Sequence, residues 1–276
     1  MNYTNEEFEL AKQMIIMSFT QKNVTPVQNP HCYMIVGQPG AGKTTLANIF
    51  SQQLANNIVF ISGDDYRRYH PHYRELVQEF GDNAVLHTQE FAGKMTESLI
   101  NHLSKLKYNL IIEGTLRTTD VPIKTSQLLN ANGYNVTLAA ILVKPEVSYL
   151  STIKRYHMMK EFGTIPRQTP KEHHDLVVRS IVHNLDFIYK LKNFSRIQIY
   201  NRQGSLLYDT TTSPNDNPSH LFMQEFKRLL SPAEKNIIYQ EYGKYISISK
   251  ITDILNDYNN FNLHIDDTPQ INTRRN

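Results

Sequence analysis

Gly37-Gln38-Pro39-Gly40-Ala41-Gly42-Lys43-Thr44 matches G-x-x-x-x-G-K-[ST], the phosphate-binding P-loop. Before it, Tyr33-Met34-Ile35-Val36 predicts a short buried strand. After it, Thr45-Leu46-Ala47-Asn48-Ile49-Phe50 predicts the start of a helix. Strand, loop and helix in that order are the context a nucleotide site needs. Glycine adopts φ > 0 at little cost, so this backbone can wrap a phosphate. The amides at the helix N-terminus then point at the anion. The expected nucleotide-binding set is Gly37, Gln38, Pro39, Gly40, Ala41, Gly42, Lys43, Thr44 and Thr45. Lys43 is expected to reach the β- and γ-phosphates of a nucleoside triphosphate, and the Thr44 hydroxyl to reach Mg²⁺.

The bulk properties narrow the classes. A chain of 276 residues suffices for one large α/β domain or two small ones, and 40% hydrophobic residues allow a substantial core. A net charge of +3 gives no electrostatic case for a nucleic-acid partner. Cys32 is the single cysteine, which excludes a disulfide framework within the chain and fits a reducing cytoplasm. No stretch approaches the roughly 18 continuous apolar residues of a membrane span. The start, Met1-Asn2-Tyr3-Thr4-Asn5-Glu6-Glu7, is polar and acidic, unlike a signal peptide, so a cytoplasmic location is expected.

Outward from the P-loop, strands alternate with helices. Strands are predicted near 32–36, 58–61, 109–112, 136–143 and 197–200, with a short hairpin over 201–208. Helices are predicted over 6–20, 43–55, 71–81, 84–106, 121–132, 146–161 and 170–192. Met95, Leu99, Leu103 and Leu106 recur at helical spacing, and Thr169-Pro170-Lys171-Glu172 reads as an N-cap followed by proline at the first helical position. Such alternation predicts an α/β fold of the P-loop kinase type, a three-layer α/β/α arrangement around a mostly parallel sheet. Beyond about 217 the pattern is helical without strands. The expected organisation is an N-terminal helix and connector (1–30), a P-loop kinase domain (31–230) and a C-terminal helical extension with a frayed tail (231–276).

In parallel sheets, ligands sit at the carboxyl ends of strands, where Asp64 and Glu113 both fall. Phosphoryl transfer needs an acceptor oxygen in line, its proton removed, and the γ-phosphoryl charge stabilised. Asp64 is the candidate base; Asp65 beside it is the alternative, the other carboxylate then capping the next segment. Glu113 resembles a Walker B position and either serves Mg²⁺ through water, binds a substrate hydroxyl, or holds its own loop. Thr115 and Arg117 lie in a polar stretch that reads as a substrate-facing loop. Arg155 and Arg167 flank a lid-like loop over 161–166; a guanidinium suits phosphate because its fork bonds two oxygens at once. The pairs His70/His72 and His173/His174 do not read as a metal site, since adjacent helical residues share no face and no third ligand completes the pattern. His70-Pro71-His72-Tyr73 is expected to shape the segment beside Asp64.

Taken in order, these segments resemble the zeta-toxin family, the kinase toxins of epsilon/zeta-type toxin–antitoxin systems, and most of all its chromosomal pneumococcal-type branch. The likeness rests on Gly37 to Thr44, Gly63-Asp64, Ala92 to Leu99, Tyr108 to Thr118, Ser148 to Thr152 with Arg155-Tyr156, Arg167 to Asp175, and Arg196 to Tyr200. It runs from about 30 to 210. The resemblance implies a kinase that uses ATP or GTP and Mg²⁺ to phosphorylate the 3′-hydroxyl of the amino sugar of UDP-N-acetylglucosamine. Its product would poison peptidoglycan precursor synthesis, and a small helical antitoxin would cover the nucleotide site. By motif, Lys43 and Thr44 hold phosphates and metal, and Asp64 is the base. Glu97, Glu113, Thr115 and Arg117 line the sugar-nucleotide site, and Arg155 and Arg167 stabilise the transferring phosphoryl group. Asp65-Tyr66-Arg67-Arg68-Tyr69 departs from the family pattern, being bulkier and more basic. Two other readings share the P-loop. One is a kinase for another small acceptor, such as a nucleoside, a shikimate-like acid or an antibiotic. The other is a catalytically silent nucleotide-binding module.

Overall fold

A computed structural model of the chain describes residues 2–20, 23–164, 166 and 168–261. Arg167 and the tail expected to fray lie outside the described residues. The elements in order are α1 (Asn5–Thr20), β1 (His31–Val36), α2 (Lys43–Gln53), β2 (Val59–Ile61), α3 (Gly63–Tyr66), α4 (Tyr73–Phe80), α5 (Ala84–His87), α6 (Gln89–Lys105), β3 (Leu110–Gly114) and α7 (Asp120–Ala131). There follow β4 (Asn135–Leu142), α8 (Pro145–Glu161), α9 (Lys171–Leu191), β5 (Arg196–Asn201), β6 (Leu206–Asp209), α10 (Ser219–Lys227), α11 (Pro232–Tyr242) and α12 (Ile248–Asn259). The six strands form one sheet in the order β2-β3-β1-β4-β5-β6. β2 and β3 run parallel, and β6 turns back antiparallel on β5. The strand beside the P-loop strand is therefore β3, which carries Glu113. Among the described residues, no helix is long and apolar enough to cross a membrane.

The chain divides into two compact units. The first comprises Met1–Met34, Ala47–Gly114 and Ser126–Thr137. Here α1 opens on a capping box: the Glu7 amide donates to Thr4 Oγ1 at 3.2 Å, and the Thr4 amide to Glu7 Oε2 at 2.8 Å. Tyr3 and Phe8 pack edge-on against Phe91 of α6, at 5.1 and 5.6 Å between ring centroids. Met95, Leu99 and Leu103 of α6 are buried as their spacing predicts. Leu106 is not: α6 ends at Lys105, and Leu106 caps it 46% exposed. Cys32 is fully buried in β1, where loss of hydration pushes its thiol far above the ordinary range.

The second unit comprises Ile35–Leu46, Thr115–Thr125 and Leu138–Asn276. Its longest helix, α9, buries a stripe through His174, Val177, Val178, Ile181, Leu185 and Ile188. Lys171 is the first residue of α9 and Pro170 its N-cap, so Thr169 stands one place before the cap predicted for it. The C-terminal helices pack on α8 through Leu150, Leu230, Ile238, Tyr242, Ile251, Leu255 and Tyr258. α11 starts at a capping box of Ser231 and Glu234 with Pro232 in its first turn.

Asp209 pins the β5–β6 hairpin. Its nearly enclosed carboxylate accepts from Arg196 Nε, Gln198 Nε2 and the Thr211 amide at 2.8–2.9 Å. Burial alone would raise this carboxyl, but these donors outweigh it and hold the pKa well below the usual carboxylate range. A depressed folded value stabilises above the unfolded pKa of about 3.9, and the gain is lost as pH falls through the folded value. Asp209→Ala is expected to cost about 2–3 kcal/mol at neutral pH in urea unfolding. The gap from wild type should narrow progressively below about pH 4.

Candidate active site

The P-loop is formed as its glycines predict. Gly40 and Gly42 have φ of +79° and +100°, a region that side chains rarely enter. The Lys43 ammonium turns over the loop, donating to the carbonyls of Gly37 at 3.0 Å and Gln38 at 3.3 Å. α2 begins at Lys43, and the Thr44 and Thr45 side chains are exposed in its first turn. The leading amides of a helix have no partner within it, so this end is a positive cradle for phosphate. Gln38 is fully buried, and its amide nitrogen donates to the Val143 carbonyl at 2.8 Å, tying the loop to the end of β4.

In the first unit, the pairing Ile61↔Ile112 brings the ends of β2 and β3 level. Asp64 and Glu113 therefore leave the same edge of this strand pair. Asp64 does not sit on a strand end or in an open loop: Gly63–Tyr66 is a helical turn, followed by a 3₁₀ turn over Arg67–Tyr69. A Cβ on Gly63 would meet Thr96 Oγ1 at 3.3 Å, so this turn abuts α6 one residue before Glu97, which is exposed. Arg67 Nε donates to Asp64 Oδ1 at 2.9 Å. The same guanidinium donates to the Val85 carbonyl at 2.6 Å and to Thr88 Oγ1 at 3.1 Å. The Arg67 side chain is only 18% exposed, whereas Asp64 is 60% exposed. The basic stretch after Asp64 thus contributes the group that holds the carboxylate. His70 is buried, stacks edge-on against Tyr3 and Phe91, and accepts the His72 amide at 3.1 Å. It shapes the segment beside Asp64 as expected.

In the second unit, Thr115 Oγ1 accepts the Arg117 amide at 3.3 Å. Leu116 between them is buried with φ of +59°, a costly conformation for a branched residue. Asn184 of α9 holds it there, donating to the carbonyls of Leu116 and Arg117, both at 2.9 Å. Arg155 is exposed on α8 and donates to Thr169 Oγ1 at 3.4 Å. His174 belongs to no metal-like pair; it is fully buried, with Ser148 Oγ at 2.8 Å from Nε2 and Tyr258 OH at 2.9 Å from Nδ1.

A family model described as zeta toxin matches residues 17–213. The chain belongs to the zeta-toxin family. Toxin PezT of Streptococcus pneumoniae serotype 4 is 46% identical over 244 residues, spanning 86% of this chain and 96% of that protein. Toxin zeta of Streptococcus pyogenes is 36% identical over 234 residues, spanning 84% and 81%. A chain from the PezAT chromosomal toxin–antitoxin system of Streptococcus pneumoniae superposes with a TM-score of 0.79 at 40% identity, covering 91% of this chain and 98% of that one. The fold is accordingly the three-layer α/β/α, mostly parallel type of P-loop kinases.

Within this zeta-toxin fold, sequence reasoning missed Arg67, Gln38 as a tie, and Asn184. A signal for the last was present. Asn184 interrupts the apolar stripe of α9 three residues after Ile181, and a polar residue at a core position must find partners.

Proposed function

We propose that this chain is a Mg²⁺-dependent kinase that transfers the γ-phosphate of ATP or GTP to the 3′-hydroxyl of the amino sugar of UDP-N-acetylglucosamine. We further propose that it acts in the cytoplasm as the toxin of a toxin–antitoxin pair, blocking peptidoglycan precursor synthesis. The observation that carries the reading is a formed P-loop in a chain whose zeta-toxin match runs over residues 17–213. The names Toxin PezT and Toxin zeta support the toxic role. The PezAT system supports a protein antitoxin, here a small helical one covering the nucleotide site.

The residues have the following roles in this reading. The P-loop amides from Gly37 to Thr45 and the Lys43 ammonium bind the phosphates. Asp64, oriented by Arg67, takes the proton of the acceptor hydroxyl as its oxygen bonds to the γ-phosphorus and the bridging bond to the β-phosphate breaks. Glu97, Glu113, Thr115 and Arg117 line the sugar-nucleotide site. Arg155 and Arg167 stabilise charge on the transferring group. Thr44 fits a magnesium site, since it offers an exposed hydroxyl oxygen at the mouth of the phosphate cradle. Bound there, Mg²⁺ would neutralise charge on the β- and γ-phosphate oxygens.

The test is a panel of acceptors incubated with the protein, labelled ATP or GTP, and Mg²⁺: UDP-N-acetylglucosamine, UDP-glucose, nucleosides, shikimate and an aminoglycoside. Label is expected on UDP-N-acetylglucosamine alone. Transfer to another member instead would replace the acceptor and remove the ground for peptidoglycan poisoning.

A further inference from the structure

α11 and α12 lie beyond the zeta-toxin match, which stops at residue 213, yet two paths of hydrogen bonds run from them to groups packed against the P-loop. The first begins at Tyr242, the last residue of α11, which is fully buried. Its hydroxyl lies 2.7 Å from Ser151 Oγ of α8 and accepts from Arg202 Nη1 at 3.2 Å. The Arg202 stem backs the P-loop: a Cβ on Gly42 would stand 3.2 Å from its Cγ. The second path begins at Tyr258 of α12. Its hydroxyl donates to Asp175 Oδ1 at 2.5 Å and lies 2.9 Å from His174 Nδ1. His174 Nε2 is 2.8 Å from Ser148 Oγ. The backbone carbonyl of Ser148 backs Gly40 so closely that a Cβ there would stand 2.0 Å from it. Lys171 completes the set, donating to Asp175 Oδ2 at 2.7 Å.

Ser148, His174 and Asp175 are the residue types of a hydrolytic triad, but Ser148 and His174 are 0% exposed, so no substrate reaches them. Desolvation lowers the His174 pKa and keeps the ring neutral, with a partner for each nitrogen. Burial would raise Asp175, but His174, Lys171 and Tyr258 outweigh it and bring it down to about 2. The set is a satisfied buried network, and such networks rigidify what they touch. Here the network backs Gly40, and Arg202 on the Tyr242 path backs Gly42, the two P-loop glycines at positive φ.

We propose that the C-terminal helix pair braces the phosphate cradle, with Tyr242 and Tyr258 as positioning residues for nucleotide binding. A loop held in its binding shape by folding loses less freedom when the phosphate arrives. The proposal rests on the P-loop reading and is independent of which acceptor is phosphorylated.

The test is direct titration of MgATP, or MgGTP if preferred, into the full chain. The variants are Tyr242→Phe, Tyr258→Phe and the two combined, each of which removes one hydroxyl and keeps the ring. Tyr239→Phe is the comparison: its hydroxyl bonds Thr252 Oγ1 at 2.9 Å, joining α11 to α12 without facing the P-loop. Each brace variant is expected to weaken the dissociation constant about fivefold and the double variant about twentyfold, the modest net loss expected when one hydrogen-bonded hydroxyl per tyrosine is removed. With saturating nucleotide, kcat should stay within about twofold, and Tyr239→Phe should bind like wild type. Unchanged affinity in the double variant overturns the brace, and so does an equal loss in Tyr239→Phe, which would mean general loosening. Absence of binding by the wild type would instead overturn the nucleotide reading itself, and the brace with it.

Discussion

Asp64→Ala is expected to leave MgATP affinity within about twofold of wild type while acceptor phosphorylation falls about 10²–10⁴-fold, the range for loss of a positioned general base. The separation follows from where the carboxylate sits. Asp64 is in the helical turn after β2, while every P-loop group is contributed by the segment that runs from the end of β1 into the first turn of α2. Truncation removes the proton acceptor and one partner of Arg67, whose guanidinium keeps its bonds to Val85 and Thr88. The turn should therefore persist, and circular dichroism should match wild type. Near-normal turnover in Asp64→Ala would show the base to be elsewhere, with Asp65 the first candidate.

Gly40→Ala is expected to abolish measurable nucleotide binding at micromolar protein, a weakening of about 100-fold or more. Two costs combine. The residue is at φ +79°, where an alanine pays about 1–2 kcal/mol. Its methyl would also stand 2.0 Å from the Ser148 carbonyl oxygen, a backbone atom of α8 that has no rotamer to yield. Forcing a methyl into a packed site costs a further 1–3 kcal/mol or so. The loop must leave its binding shape or push α8 aside, and either change disperses the amides that hold phosphate. Calorimetric titration with MgATP checks the loss. A Gly40→Ala variant that bound within a few-fold of wild type would mean that this loop shape is not the one that receives phosphate.

Much of this was legible because the P-loop constrains its neighbours. The motif dictates a strand before it and a helix after it, and the apolar runs at 58–61, 109–112 and 136–143 are strands within a residue or two. The order of those strands was not legible: buried parallel strands read alike, and only the crossovers put β3 between β1 and β2. Asp64 reads from the sequence as the end of the second strand, because Gly63 is a weak helix former; contact with α6 and the Arg67 anchor override local propensity and wind the segment into a helical turn. His174 was considered only as one of an adjacent pair. Its spacing of three and four to Val177 and Val178 was the sign that it faces the core. Leu106 fits the period of α6 but falls one residue past its end, where period no longer dictates burial.

The most direct test of the central claim is to locate the phosphate. UDP-N-acetylglucosamine, ATP and Mg²⁺ would be incubated with wild type and with Asp64→Ala, and the products read by mass spectrometry and phosphorus NMR. The expected result is a single added phosphate ester on the 3′-hydroxyl of the amino sugar, formed by wild type alone. Unmodified UDP-N-acetylglucosamine, from protein that binds MgATP through an intact P-loop, would contradict it and assign the fold to another acceptor.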